Sequence, residues 1–128
     1  MIFEISQQEL NELLEEKFGA TSKVENGKIT ISAMMGTVKF TLFSPRTPLR
    51  LSNEINLEIS MSLTVRMFLG KIKEELKKRN LSDAISITPT SISIDVSKVE
   101  NNTFVKWLKN KTLKEVILED GKIHLEIA

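Results

Sequence analysis

The chain predicts an α+β fold, a mainly antiparallel, curved sheet of about 7–9 short strands with two or three helices on one face. Three observations carry that expectation. Ile55, Leu57, Ile59, Met61 and Leu63 alternate with Asn56, Glu58, Ser60 and Ser62, the period of a strand with one apolar and one wet face. Asn26-Gly27 and Asp120-Gly121 are dipeptides that accept positive φ at both centres of a tight hairpin turn. The segments 6–18 and 64–79 repeat apolar residues at helical spacing.

Taken in order, Ile2–Ile5 adds a short strand, and Ser6-Gln7-Gln8-Glu9 reads as a capping box. Leu10, Leu13, Leu14 and Phe18 then follow at helical spacing, with Gly19 as the stop. The outer face of this helix is acidic, through Glu9, Glu12, Glu15 and Glu16. Beyond the Asn26-Gly27 turn, Ile29, Ile31 and Ala33 alternate with polar residues, and Val38, Phe40 and Leu42 do so again after Gly36. Pro45 and Pro48 interrupt the pattern, because proline cannot donate to a ladder. The second helix, 64–79, carries an apolar stripe of Val65, Phe68, Leu69, Ile72 and Leu76 and ends on Lys77-Lys78-Arg79, which suit the negative pole of a helix dipole. A hairpin turning near Pro89-Thr90 follows, then a short third helix capped by Asn101 or Asn102 and ending near Asn110. The closing hairpin turns at Asp120-Gly121.

An internal echo stands out. Glu25-Asn26-Gly27-Lys28-Ile29-Thr30-Ile31 and Glu119-Asp120-Gly121-Lys122-Ile123-His124-Leu125 share E-[ND]-G-K-I-x-[IL]. Each hairpin comes a few residues after a helix. Duplication and convergence of tight turns on the same chemistry both account for it.

The chain of 128 residues is expected to form a single globular domain, 1–128, with one core. It has no cysteine, which removes disulfides and thiolate chemistry. Its opening, MIFEISQQEL, lacks the basic and apolar regions of a signal peptide, and its apolar runs are too short to span a bilayer, so a cytoplasmic location is expected. The net charge of +1 divides unevenly: residues 64–115 hold 11 basic and 6 acidic side chains, and the flanking segments are each −2. That excess is modest beside the dense basic footprint of a dedicated nucleic-acid binder.

No catalytic signature emerges, so the chain is not read as an enzyme, and no metal or cofactor is expected. His124 is the single histidine. By alternation it shares a polar strand face with Lys122 and Glu126. A His–Glu pair can act as base and orienter, but neighbours two apart on a wet face are ordinarily just solvated. Zinc would need ligands that one histidine and no cysteine do not supply. For nucleic acid, most of the seven aromatics sit at apolar-phase positions, and Trp107 is the one candidate for base stacking beside the basic residues of 66–79 and 106–114, with the core as its favoured place. Met34, Met35, Met61 and Met67 bring flexible thioethers suited to an irregular core or an adaptable pocket.

The run Ile55–Val99, followed by Phe104-Val105-Lys106-Trp107-Leu108 and the hairpin Val116–Leu125, resembles bacterial lipid-binding domains of the tubular lipid-binding (TULIP) type. The likeness covers about half the chain and rests on a strand–helix–strand rhythm plus a D-G-K turn. It implies a long helix lying in a highly curved sheet, with an apolar groove between them for acyl chains. It carries over no functional residue.

The expected function is a non-enzymatic binding module holding an apolar or lipid-like ligand between helix 64–79 and the sheet. Val38, Phe40, Leu57, Ile59, Met61, Phe68, Leu69 and Ile72 are the expected lining. The alternative is a protein-interaction or assembly domain, pairing through a strand edge or the basic flank of the later helices. The implied partners are thus an apolar small molecule or lipid, or else a protein partner or second copy in a homodimer. Nucleic acid is disfavoured, and no transmembrane segment is expected.

Overall fold

Ser6 ends one strand and caps the first helix. In the computed structural model, which describes residues 1–51, 54–99 and 103–128, strand β1 (Ile2–Ser6) runs straight into helix α1 (Gln7–Phe18). The Ser6 hydroxyl accepts from the Glu9 amide at 3.1 Å and donates to the Glu9 carboxylate at 3.1 Å. Half of the expected capping box therefore changes form, with Glu9 meeting the Ser6 side chain. Gly19 closes the helix in the left-handed region, φ 60°, where a residue without Cβ fits at least cost.

The remaining strands are β2 (Thr21–Glu25), β3 (Lys28–Ala33), β4 (Val38–Phe43), β5 (Leu49–Arg50), β6 (Glu54–Met61), β7 (Ile85–Ile87), β8 (Ser91–Asp95), β9 (Thr112–Glu119) and β10 (Lys122–Ile127). Helices α2 (Leu63–Met67) and α3 (Leu69–Lys78) follow β6, and α4 (Thr103–Leu108) precedes β9. The class is α+β, and the pairing is antiparallel throughout the described residues. Among the described residues ten strands fall into two open sheets, one ordered β2-β3-β4-β6-β8-β7 and the other β1-β10-β9-β5. The expected proline interruption explains much of that division. After β4 the chain leaves the larger sheet through 44–48, and β5 pairs with β9 of the smaller one before β6 returns.

Segment 64–79 departs from a single helix. It breaks at Phe68 (φ −95°, ψ 5°) into α2 and α3. Gly70 lies two residues on, where helix propensity is weakest. The capping position expected at Asn101 or Asn102 lies outside the described residues.

The core sits where the two sheets meet. Val24 (1% exposed), Leu118 (4%) and Ile123 (8%) form its centre, with Leu10, Ile29, Val116 and Leu125 packed around them. These residues belong to the two echoed hairpins and to α1. The Gly27 amide donates to the Leu118 carbonyl at 2.8 Å, and the Gly121 amide donates to the Val24 carbonyl at 2.9 Å. Gly27 stands to Gly121 as Val24 stands to Leu118 in the shared pattern. The two turns thus exchange equivalent bonds, as parts related by a local two-fold do. Their centres match as well: Asn26 and Gly27 have φ 52° and 76°, Asp120 and Gly121 have 47° and 74°. Gln7 ties both, its amide donating to Gly121 O at 2.7 Å and its side-chain carbonyl accepting from Val24 N at 2.8 Å.

Candidate functional site

An amphipathic helix in a folded domain ordinarily buries its stripe. Here no residue of α1, α2 or α3 is buried. Val65, Leu69, Ile72 and Leu76 reach only half-burial. Leu63 (73% exposed), Met67 (76%) and Phe68 (49%) face outward. The start of this segment is held to the sheet at Ser62: its amide donates to Lys39 O at 2.9 Å, and its Oγ accepts from the Lys39 amide at 3.1 Å.

Along one side of α3 runs an open, mostly apolar groove of about 480 Å³, walled by Phe18, Phe68, Ile72, Leu76 and Leu81. Lys71, Glu75 and Arg79 complete its rim. The Lys71 ammonium lies 5.3 Å from the centre of the Phe68 ring, within cation–π range. Arg79 pairs with Glu75 at 3.7 Å on the exposed rim. On the other side, Leu76 faces Ile85 and Ile87 of β7 across a narrower gap of about 290 Å³.

The expected lining residues divide into two groups. Val38, Phe40, Leu57, Ile59 and Met61 share one face of the larger sheet, since Phe40 pairs with Met61 and Leu42 with Ile59. Ile59 and Met61 are buried there, and Val38, Phe40 and Leu57 are half-buried. Phe68 and Ile72 line the groove beside α3, and Leu69 is half-buried on the same helix. The strand residues are not among the groove's walls. Its other wall is made by Phe18 and Leu81, which the sequence reading left out. Phe18 is in phase with half-buried Leu10 and Leu14 of α1, so periodicity assigns it to the core; at the last turn it is 72% exposed instead.

A second apolar feature is the tip between β3 and β4. Met34 and Met35 are both exposed, Met35 completely, and both take the left-handed region with φ 52° and 58°. Neither the solvent nor that backbone conformation favours methionine. The Thr37 hydroxyl and amide both donate to the Met34 carbonyl and hold the turn.

His124 keeps different company from that expected. Its Nδ1 lies 3.1 Å from a Glu4 carboxylate oxygen on β1, and its Nε2 is 3.9 Å from Glu115 on β9. Glu126, two residues along its own strand, is not its partner, because the β1–β10 register sets Glu4 directly opposite His124. Trp107 is half-buried, with the Lys111 ammonium 5.4 Å from its ring centre. Among the described residues no group of three or more His, Cys, Asp or Glu is placed to hold a metal ion, and no helix is long and apolar enough to cross a membrane.

Compared with protein-family models, with curated proteins and with solved structures, the chain matches none.

Proposed function

We propose that this chain is a non-enzymatic binding module acting as a protein-interaction or assembly domain, with α2, α3 and the adjoining groove as its docking surface. The observation that supports this most directly is the unburied state of the helices. An apolar stripe flanked by exposed Leu63, Met67 and Phe68 does little for the fold of its own chain. Apolar surface gathered in this way marks a site that a partner covers. The decisive variant is Met67→Glu combined with Phe68→Glu. As docking residues, they change the free energy of unfolding by less than about 1 kcal/mol. As core residues, they destabilise the chain by about 3–5 kcal/mol, and a loss of that size in urea titration overturns the proposal.

A second reading rests on the groove itself, whose volume and apolar walls suit an apolar or lipid-like ligand. It agrees with the kind of occupant that the lipid-binding resemblance implies. Native mass spectrometry of the freshly purified protein tests it. A retained lipid mass that Phe68→Glu removes supports the ligand, and a bare chain mass under gentle conditions contradicts it.

A further inference from the structure

We infer that the occupant of this surface is a second copy of the chain, seated across a two-fold axis with the acidic α1 of each protomer against the basic α3 of the other. This rests on the docking role proposed above.

Charge is the first ground. Helix α1 carries Glu9, Glu12, Glu15 and Glu16 against Lys17 alone, a net −3. Residues 66–79 carry Arg66, Lys71, Lys73, Lys77, Lys78 and Arg79 against Glu74 and Glu75, a net +4. All of these side chains stand at exposed positions. None of the α1 glutamates is ion-paired among the described residues. The helix therefore presents an uncompensated negative face, and α3 a nearly uncompensated positive one. Between them lies the apolar groove, because Phe18 at the end of α1 forms one wall and Phe68, Ile72 and Leu76 the other. An acidic flank, an apolar centre and a basic flank in that order are self-complementary under a two-fold rotation, which is what an isologous interface requires.

Area is the second ground. A monomer of 128 residues exposes roughly 6,900 Å² when folded. This chain exposes 8866 Å², an excess of about 2,000 Å². A standard interface takes about 800 Å² from each partner. The chain therefore carries more unburied surface than one such contact consumes.

Charge exchange between chains tests the pairing. Glu12→Lys/Glu16→Lys turns α1 from net −3 to +1 beside a basic α3, and Lys71→Glu/Lys78→Glu turns α3 (Leu69–Lys78) from net +2 to −2 beside an acidic α1. Positions 12 and 16 are one turn apart and 71 and 78 two turns apart, so each pair shares a helix face. In sedimentation equilibrium the unaltered chain is expected to dimerise, and each variant alone to associate at least ~10-fold more weakly. An equimolar mixture is expected to recover a heterodimer within ~3-fold of the original affinity, since both contacts are then complementary again. Circular dichroism confirms that each variant is folded. Independently of any variant, raising salt from about 50 to about 500 mM should weaken the original dimer several-fold.

Three results overturn the inference: a monomer at about 0.5 mM, variants that dimerise as well as the unaltered chain, or a mixture that stays monomeric. If the chain is monomeric while Met67→Glu/Phe68→Glu leaves stability intact, the docking surface stands and its partner is another protein. If that double variant is destabilised, the surface itself fails and the dimer with it.

Discussion

Val24→Ala probes the junction of the two hairpins, and its cost follows from the structure. Val24 is 1% exposed and belongs to the cluster with Leu118 and Ile123. Removing its two methyl groups forfeits about 1.6 kcal/mol of transfer free energy, at about 0.8 kcal/mol per buried carbon. A cavity of roughly 40 Å³ adds about 1 kcal/mol if the surroundings do not collapse. Collapse is restrained here, because the Val24 carbonyl accepts from Gly121 at 2.9 Å and the Val24 amide donates to Gln7 at 2.8 Å. The expected loss is therefore about 2.5 kcal/mol, a large share of the roughly 5–15 kcal/mol that holds a domain together. Urea titration followed by circular dichroism should show the midpoint falling by about 1–2 M at an unchanged slope. Val38→Ala on half-buried β4 serves as the comparison and should cost under about 1 kcal/mol. Equal losses for the two variants would refute the placing of the core at the hairpin junction.

Three further outcomes follow from local features. Ser6→Ala removes the cap that accepts from the Glu9 amide and should cost about 1 kcal/mol in thermal or urea unfolding. Met35→Gly relieves a left-handed methionine that is fully exposed, and should stabilise the chain by about 0.5–1 kcal/mol with no change of fold. The Asp95 carboxyl is held below its ordinary value of 3.8, chiefly by the hydrogen bond from the Ser97 hydroxyl; desolvation opposes this, and the Ser97 amide and the Lys98 and Lys109 charges add to it. A carboxyl lowered in the folded state stabilises above its unfolded pKa and loses that contribution as pH falls through the folded value. The gap in urea midpoint between the unaltered chain and Asp95→Asn should thus be widest above pH ~4 and close below it.

Local chemistry made much of the fold legible in the sequence. Ser6, Glu9 and Gly19 mark the ends of α1 because capping uses only neighbours in the chain. Asn26-Gly27 and Asp120-Gly121 mark their turns because positive φ restricts the residue type. The alternation from Ile55 to Met61 holds because a strand with one covered face must read that way. Long-range placement was harder to read. Nothing within a few residues of His124 points to Glu4, which meets it only through the β1–β10 register. The repeated E-[ND]-G-K-I-x-[IL] pattern was visible, but the reciprocal bonds between its two copies depend on how the sheets dock. Phe18, Phe68 and Leu76 have the periodicity of core residues, and periodicity does not distinguish a stripe covered by its own sheet from one left open beside a groove. The site therefore emerged from exposure and not from pattern.

Amide hydrogen exchange of residues 63–78, measured at low and at high protein concentration, addresses the docking surface most directly. Slower exchange in α3 at high concentration, with β2, β3, β9 and β10 unchanged, is the result expected if a second copy covers it. Protection in α3 that already equals that of the hairpin core when the chain is dilute, and does not grow with concentration, would contradict an open helix awaiting its partner.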